Sequence, residues 1–182
     1  MGNQLLLFLL LVTAANAKAQ EPMPLVSSGT LQRITAFPSA YVKVRNVDVW
    51  LPPGYTAANK YSVLYMHDGQ MLFDAAGTWN KQEWGVDETM GLLLNQKKIR
   101  DCIVVAIWNA GADRHSDYFP QKPFLSLSKK HQDEIYTATR GTDYALFPVP
   151  VQSDAYLKFL VTELKPFIDT TFSVATDRAN TF

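Results

Sequence analysis

The chain has 182 residues, a length that suits one domain, and its composition of 47% hydrophobic and 19% charged residues supplies enough apolar material for a buried core. Seventeen basic residues balance seventeen acidic ones, so the formal net charge is zero. That neutrality offers no electrostatic basis for a nucleic-acid or anionic-membrane partner and points instead to a small-molecule substrate.

Residues 1–19 read as a signal peptide. Residues 5–12 (LLLFLLLV) form an unbroken apolar run, followed by small residues at Ala15, Ala17 and Ala19. These create two A-x-A sites, with cleavage expected after Ala17 or Ala19. The run is far shorter than the roughly 20 residues needed to cross a bilayer, so no stable membrane anchor is expected. The expectation is export, to a periplasmic or extracellular destination. Met1 to Gln4 carry no Lys or Arg, which leaves the amino terminus as the only positive charge there. Residues 20–29 read as a short leader, and residues 30–182 as one α/β unit.

Two extended stretches open that unit, over residues 30–37 and 41–51. In the second, apolar and polar residues alternate with the period of a half-buried strand, and Pro52-Pro53-Gly54 ends it. The two are expected to pair antiparallel at one side of a sheet. Residues 62–66 (SVLYM) and 103–108 (IVVAIW) are continuous apolar runs, the pattern of central strands covered on both faces. Between them residues 86–98 have helical spacing, with Met90, Leu93 and Leu94 on one face and acidic residues near the amino end. Strand, helix, strand is a βαβ unit with a right-handed crossover. Cys102, the only cysteine, begins the second run and is expected to be an inert core thiol.

Residues 109–150 carry many prolines and aromatics and read as a long irregular section, a binding wall or lid. Residues 153–169 read as a second helix, with Ser153 or Asp154 able to cap it and Pro166 able to kink its last turn. After a polar turn, Thr181-Phe182 look like the first residues of another strand.

Ligands of such sheets bind beyond the carboxyl ends of the strands. Those ends carry His67-Asp68-Gly69-Gln70 and residues 109–115 (NAGADRH). No G-x-S-x-G, phosphate loop, G-x-G-x-x-G, H-E-x-x-H or C-x-x-C occurs. His67, Asp68, Asp113, His115 and Asp117 could be drawn together as metal ligands, but their spacing matches no standard site, and no metal is expected.

Five segments taken in order resemble the esterase D-type branch of the α/β-hydrolase fold, a group that includes secreted carbohydrate esterases and siderophore esterases. They are VWLPPGY (residues 49–55), VLYMHDGQMLFD (63–74), WGVDE (84–88), RHSDY with Pro120 (114–118) and YLKFLVTELKPFID (156–169). The second and fifth are the specific ones; Met71 departs from the family's frequent Asn. The resemblance covers residue 30 to the end. It implies an α/β-hydrolase sheet, mostly parallel with an antiparallel N-terminal strand pair, and a carboxylic-ester hydrolase that needs no cofactor. It further implies that the next strand leads to the serine elbow. The catalytic serine, acid and histidine would then lie beyond Phe182, with the sheet truncated before the nucleophile strand and the chain as it stands inactive. Residues 103–108 and the helix near Phe159 would in that case expose apolar faces.

What remains for these residues is the other side of the site. Gly69 is the candidate for a backbone oxyanion donor, set against a turn that merely needs positive φ. Asp68 and Gln70 would hold that turn. Arg114 and Tyr118 would line the pocket mouth, with Arg114 pairing either a substrate carboxylate or an internal Asp. Trp79 and Trp84 would stack on a sugar or aromatic acyl group, or pack in the core. His67 would serve positioning, and His115 and His131 would be exposed loop residues. Acylated carbohydrates and siderophore-like esters are the expected substrates. The alternatives are a non-catalytic carbohydrate-binding member of the same fold, or an inactive truncated product. Oligomeric state is left open.

Overall fold

The computed structural model describes residues 21–141 and 143–182, so the signal-peptide reading falls outside the described residues. A four-stranded sheet has the order β1-β2-β4-β3, built from β1 (Thr30–Phe37), β2 (Arg45–Leu51), β3 (Ser62–His67) and β4 (Cys102–Ile107). β2 pairs antiparallel with β1 on one side and β4 on the other, and β3 pairs parallel with β4. β2 alone therefore runs against the rest. Thr181 bridges to Val63 in parallel, and the Phe182 amide donates to the Val63 carbonyl at 2.9 Å, so the end of the chain lies along the outer edge of β3.

Of the two continuous apolar runs expected to be central strands, β4 is an inner strand covered on both faces, whereas β3 is the edge strand beside it and is only partly buried. All six residues of β4 are buried. On one face Val49, Val63, Ile103 and Val105 meet Phe159, Leu164 and Ile168. On the other, Trp50, Val104 and Ala106 meet Leu72, Phe73 and Met90 of α1 (Val86–Asn95) and the turn before it. Ile103 through Ile107 and Phe159 are 0% exposed, which corrects the expectation that they would stand open. The outer edge belongs to β3, two places from β2, and it is β3 whose burial thins toward its carboxyl end.

Three other expectations change. The section after β4 is not irregular: it holds α2 (Arg114–Tyr118), α3 (Gln121–Leu125), α4 (Lys129–Tyr136) and a small hairpin, β5 (Thr139–Arg140) with β6 (Tyr144–Ala145). Its prolines and aromatics build a satellite core of Phe124, Phe147 and Val151 packed by Phe119 and Tyr136. The last helix runs as α5 (Ser153–Lys158), a π-helical stretch (Phe159–Leu164) and α6 (Lys165–Thr171). Pro166 stands in the first turn of α6, where its missing N–H costs least, and the wider π turn before it relieves the ring's clash with the preceding carbonyl. Gln152, not Ser153 or Asp154, occupies the N-cap, without a side-chain hydrogen bond.

Residues 21–29 are tied down. The amide and hydroxyl of Ser27 donate to buried Asp87 at 2.7 and 2.9 Å, and the Trp50 indole donates to the Ser28 carbonyl at 2.6 Å. Arg33 lies over the Trp108 ring and forms a bidentate pair with Asp48 at 2.6 and 2.8 Å, both side chains almost wholly buried. Among the described residues no helix is long and apolar enough to cross a membrane.

Candidate active site

Because β3 and β4 run parallel, with His67 opposite Ile107, their carboxyl ends open side by side. The chain leaves β3 through Asp68 in the left-handed conformation (φ 55°, ψ 42°) and enters a single 3-10 turn, Gly69–Met71. Asp tolerates that backbone better than most residues because its short polar side chain bonds locally. The positive φ that was the alternative reason for a glycine at position 69 falls instead on Asp68. Gly69 is required for another reason: a Cβ there would lie 2.5 Å from the backbone C and O atoms of Ala106. The turn is pressed directly onto β4.

The side chains of Asp68 and Gln70 tie this turn to the segment after β4. The Asp68 carboxylate accepts from Arg114 Nε at 2.7 Å, Arg114 Nη2 at 2.6 Å and Asn109 Nδ2 at 2.7 Å. Gln70 Oε1 accepts from the Asn109 amide at 3.2 Å. Burial alone would raise the Asp68 pKa, but the hydrogen bonds from Arg114 and Asn109 outweigh it and hold the carboxyl below its usual range. Of the two roles open to Arg114, the internal pair is the one formed. Its guanidinium also lies 5.2 Å over the Tyr118 ring.

The Asp68–Arg114 pair divides two cavities. One, of about 540 Å³, is lined by Asp68, Gln70, Trp79, Trp84, Asn109 and Arg114, with Arg140 of the hairpin at its side. Trp79 is 80% exposed and Trp84 53%, so the core-packing alternative for them is excluded. The other, of about 490 Å³, lies against His67, Tyr118, Tyr156, Leu157 and Leu160. Tyr118 lines this second cavity and not the first, while Arg114 lines both.

Asn109 and Tyr156 are the site residues that sequence reasoning did not single out. Asn109 stands two residues past the end of β4, where the strand-end rule points. Tyr156 reaches His67 across 89 residues, a pairing no local pattern carries. His115 and His131 lie on α2 and α4 rather than in loops; His131 is exposed, whereas His115 is half-buried and burial lowers its pKa. Ser116 is buried, its hydroxyl donating to the Val149 carbonyl at 2.8 Å, which leaves it unsuited to nucleophilic attack. Among the described residues no serine or cysteine side chain bonds a histidine ring, and no three His, Cys, Asp or Glu side chains converge as metal ligands.

Solved structures share the fold, two esterases or hydrolases among them. A ferulic acid esterase from Anaeromyces mucronatus, in complex with ferulic acid, superposes with TM-score 0.52 at 20% identity, over 86% of this chain and 48% of that one. An IroE-like serine hydrolase from Shewanella oneidensis gives TM-score 0.54 at 20% identity, over 80% of this chain and 40% of that one. The chain thus spans about half the length, or less, of these structures. No curated protein matches it in sequence. Residues 40–181 match the family described as "Putative esterase", and with the α/β-hydrolase sheet and the turn after β3 in place, the chain belongs to that esterase family.

Proposed function

We propose that this protein is an exported carboxylic-ester hydrolase and that the described residues supply the substrate-holding and oxyanion side of its active site. The observation that carries the reading is the turn Asp68-Gly69-Gln70, fixed at the carboxyl end of β3 by Arg114, Asn109 and the backbone of β4, and opening onto a cavity. An acyl-transfer site needs backbone N–H donors held rigidly where negative charge develops, and this turn is built to stay still. The serine, acid and histidine are assigned to residues following Phe182. Thr181 bridges Val63 in parallel along the edge of β3, the strand whose carboxyl end carries Asp68 and Gly69, and this supports the assignment.

The exposed Trp79 and Trp84 support a substrate with a flat face, a sugar ring or an aromatic acyl group, as in acylated carbohydrates or siderophore-like esters. The 540 Å³ cavity is of a size that takes such a group. The ferulic acid held by the Anaeromyces esterase is a ligand of that kind.

The test is a fluorophosphonate probe with a short-ester assay. The protein expressed from its complete reading frame should label and turn over, and residues 20–182 alone should do neither. Labelling of residues 20–182 that is abolished by changing one of its own serines would overturn the assignment. Exported material should begin at Lys18 or Gln20 by amino-terminal sequencing; Met1 on the mature protein would overturn export.

A further inference from the structure

Residues 21–29, ahead of β1, are built into the fold against both β2 and α1, and glycines make room for them. A Cβ on Gly91 of α1 would overlap Ser28 Oγ and lie 2.8 Å from Ser28 Cβ. A Cβ on Gly29, whose φ is +74°, would overlap the Leu51 carbonyl oxygen and lie 2.7 Å from the Trp50 indole nitrogen. Val26 packs against the core cluster that holds Trp50, Val86 and Met90. The Arg33 guanidinium donates to the carbonyls of Glu21 and Pro22 at 2.7 and 3.1 Å.

Three residues of this segment reach both ends of the loop that carries Trp79 and Trp84. At its start the Leu25 amide donates to Asp74 Oδ2 at 2.9 Å, while Asp74 Oδ1 accepts from the Ala76 amide at 2.8 Å and caps the 3-10 turn Ala75–Gly77. Those two amides, Leu25 first, hold the Asp74 carboxyl below its usual range. At the loop's end the amide and hydroxyl of Ser27 both donate to Asp87 Oδ2, in the first turn of α1. Asp87 is 0% exposed and its Oδ1 has no hydrogen-bond partner, so Ser27 is what satisfies this buried carboxylate among the described residues. The body of the domain adds the carbonyls of Met71 and Leu72, which accept from the Trp84 and Val86 amides at 3.0 and 3.1 Å. Between its ends the loop bonds to itself, the Gln82 amide to the Thr78 hydroxyl at 3.0 Å and the Lys81 ammonium to the Ala76 carbonyl at 2.8 Å.

We propose that Leu25 and Ser27 are positioning residues for the substrate wall: by bracing Asp74 and Asp87 they hold the loop between them, and with it Trp79 and Trp84, in the place where they meet a flat group of the substrate. That this group belongs to an ester rests on the ester-hydrolase reading. A binding wall on an unbraced loop loses part of its contact energy to ordering that loop, whereas a braced one is ready before the substrate arrives. Leu25 acts through its N–H, since its side chain is 81% exposed and packs little.

The test uses the protein from the complete reading frame. Ser27→Ala removes the hydroxyl bond to Asp87, Ser27→Thr keeps it, and Leu25→Pro removes one N–H from an exposed residue without touching Asp87. Hydrogen exchange read by mass spectrometry should show residues 75–85 exchanging roughly tenfold faster in Ser27→Ala and in Leu25→Pro, with β4 unchanged and Ser27→Thr like the wild type. With methyl ferulate, both disruptive variants should raise KM about fivefold, the ordering cost of one or two side chains, while kcat stays within about twofold. In a Trp79→Ala/Trp84→Ala background Ser27→Ala should leave KM where it was, because the wall it positions is gone. Unchanged loop exchange in both variants, acceleration that extends equally to β4 in both, or a KM increase that persists in the background without the tryptophans would overturn the proposal. Absence of methyl ferulate turnover by the wild type would overturn the stacking role of the wall and, with 4-nitrophenyl acetate also untouched, the ester-hydrolase reading; in either case hydrogen exchange still decides whether the segment braces the loop.

Discussion

Substituting Gly69 separates the two reasons a glycine can stand at that turn. Its φ is not positive, so alanine meets no backbone penalty there; the obstacle is contact, with a Cβ placed 2.5 Å from Ala106 C and O and 2.9 Å from Ile107 C. These are atoms of the central strand β4, every residue of which is buried, so none can swing aside as a flexible side chain would. Overpacking ordinarily costs about 1–3 kcal/mol, and with rigid backbone opposite the upper end applies, about 3 kcal/mol for Gly69→Ala and more for Val. A domain of this size has about 5–15 kcal/mol in all. With a urea slope of about 2 kcal/mol per M, the midpoint should fall by about 1.5 M. Gly77→Ala is the control: nothing lies within 4 Å of its Cβ position and its φ is not positive, so it should stay within about 0.5 kcal/mol of the wild type. A Gly69→Ala midpoint that matches the Gly77→Ala control would refute the contact argument. The same geometry means that lost turnover in a Gly69 variant reports a displaced turn before it reports a missing oxyanion donor.

Arg114→Met should destabilise by about 1.5 kcal/mol, the low end for hydrogen bonds to a charge, because the guanidinium side chain is 37% exposed and water screens it. The Asp68 carboxyl, held below its usual range in the wild type, should titrate at higher pH in that variant. Its contribution is present above the unfolded-state pKa and is lost as pH falls through the folded one, so wild-type stability should drop in acid and the variant should show less of that drop. Trp79→Ala, at 80% exposure, should leave the melting temperature unchanged while weakening ester binding, read as a raised KM; an unchanged KM removes Trp79 from the substrate wall. Burial pushes the Cys102 thiol up to about 11, so a thiol reagent at neutral pH should react only as the protein unfolds, and rapid reaction of the folded protein would contradict the buried strand.

The sequence by itself determined what depends on local pattern. The continuous apolar runs marked β3 and β4 as strands, though only β4 is covered on both faces, and β1 emerges with the bounds expected, Thr30–Phe37. The start of α1 at Val86 was legible for the same reason, and Thr181, read as the beginning of a strand, bridges in parallel to Val63 of β3. Asp68, Gly69, Gln70 and Arg114 could be named because they stand at strand ends or in a family segment, and all four come together at the turn after β3. What each does there was decided only by tertiary structure. The glycine's reason is a strand 37 residues away in the chain, the partner of Arg114 is 46 residues back, and Trp79 and Trp84 face a cavity because the loop they ride on runs outside the sheet. The pairing of His67 with Tyr156, and the burial of Arg45 against Asp117 beneath it, follow from α5 crossing the carboxyl end of β3. Periodicity encodes which face of an element is apolar; it carries no information about which distant side chain will meet that face, because that contact exists only once the layers have packed.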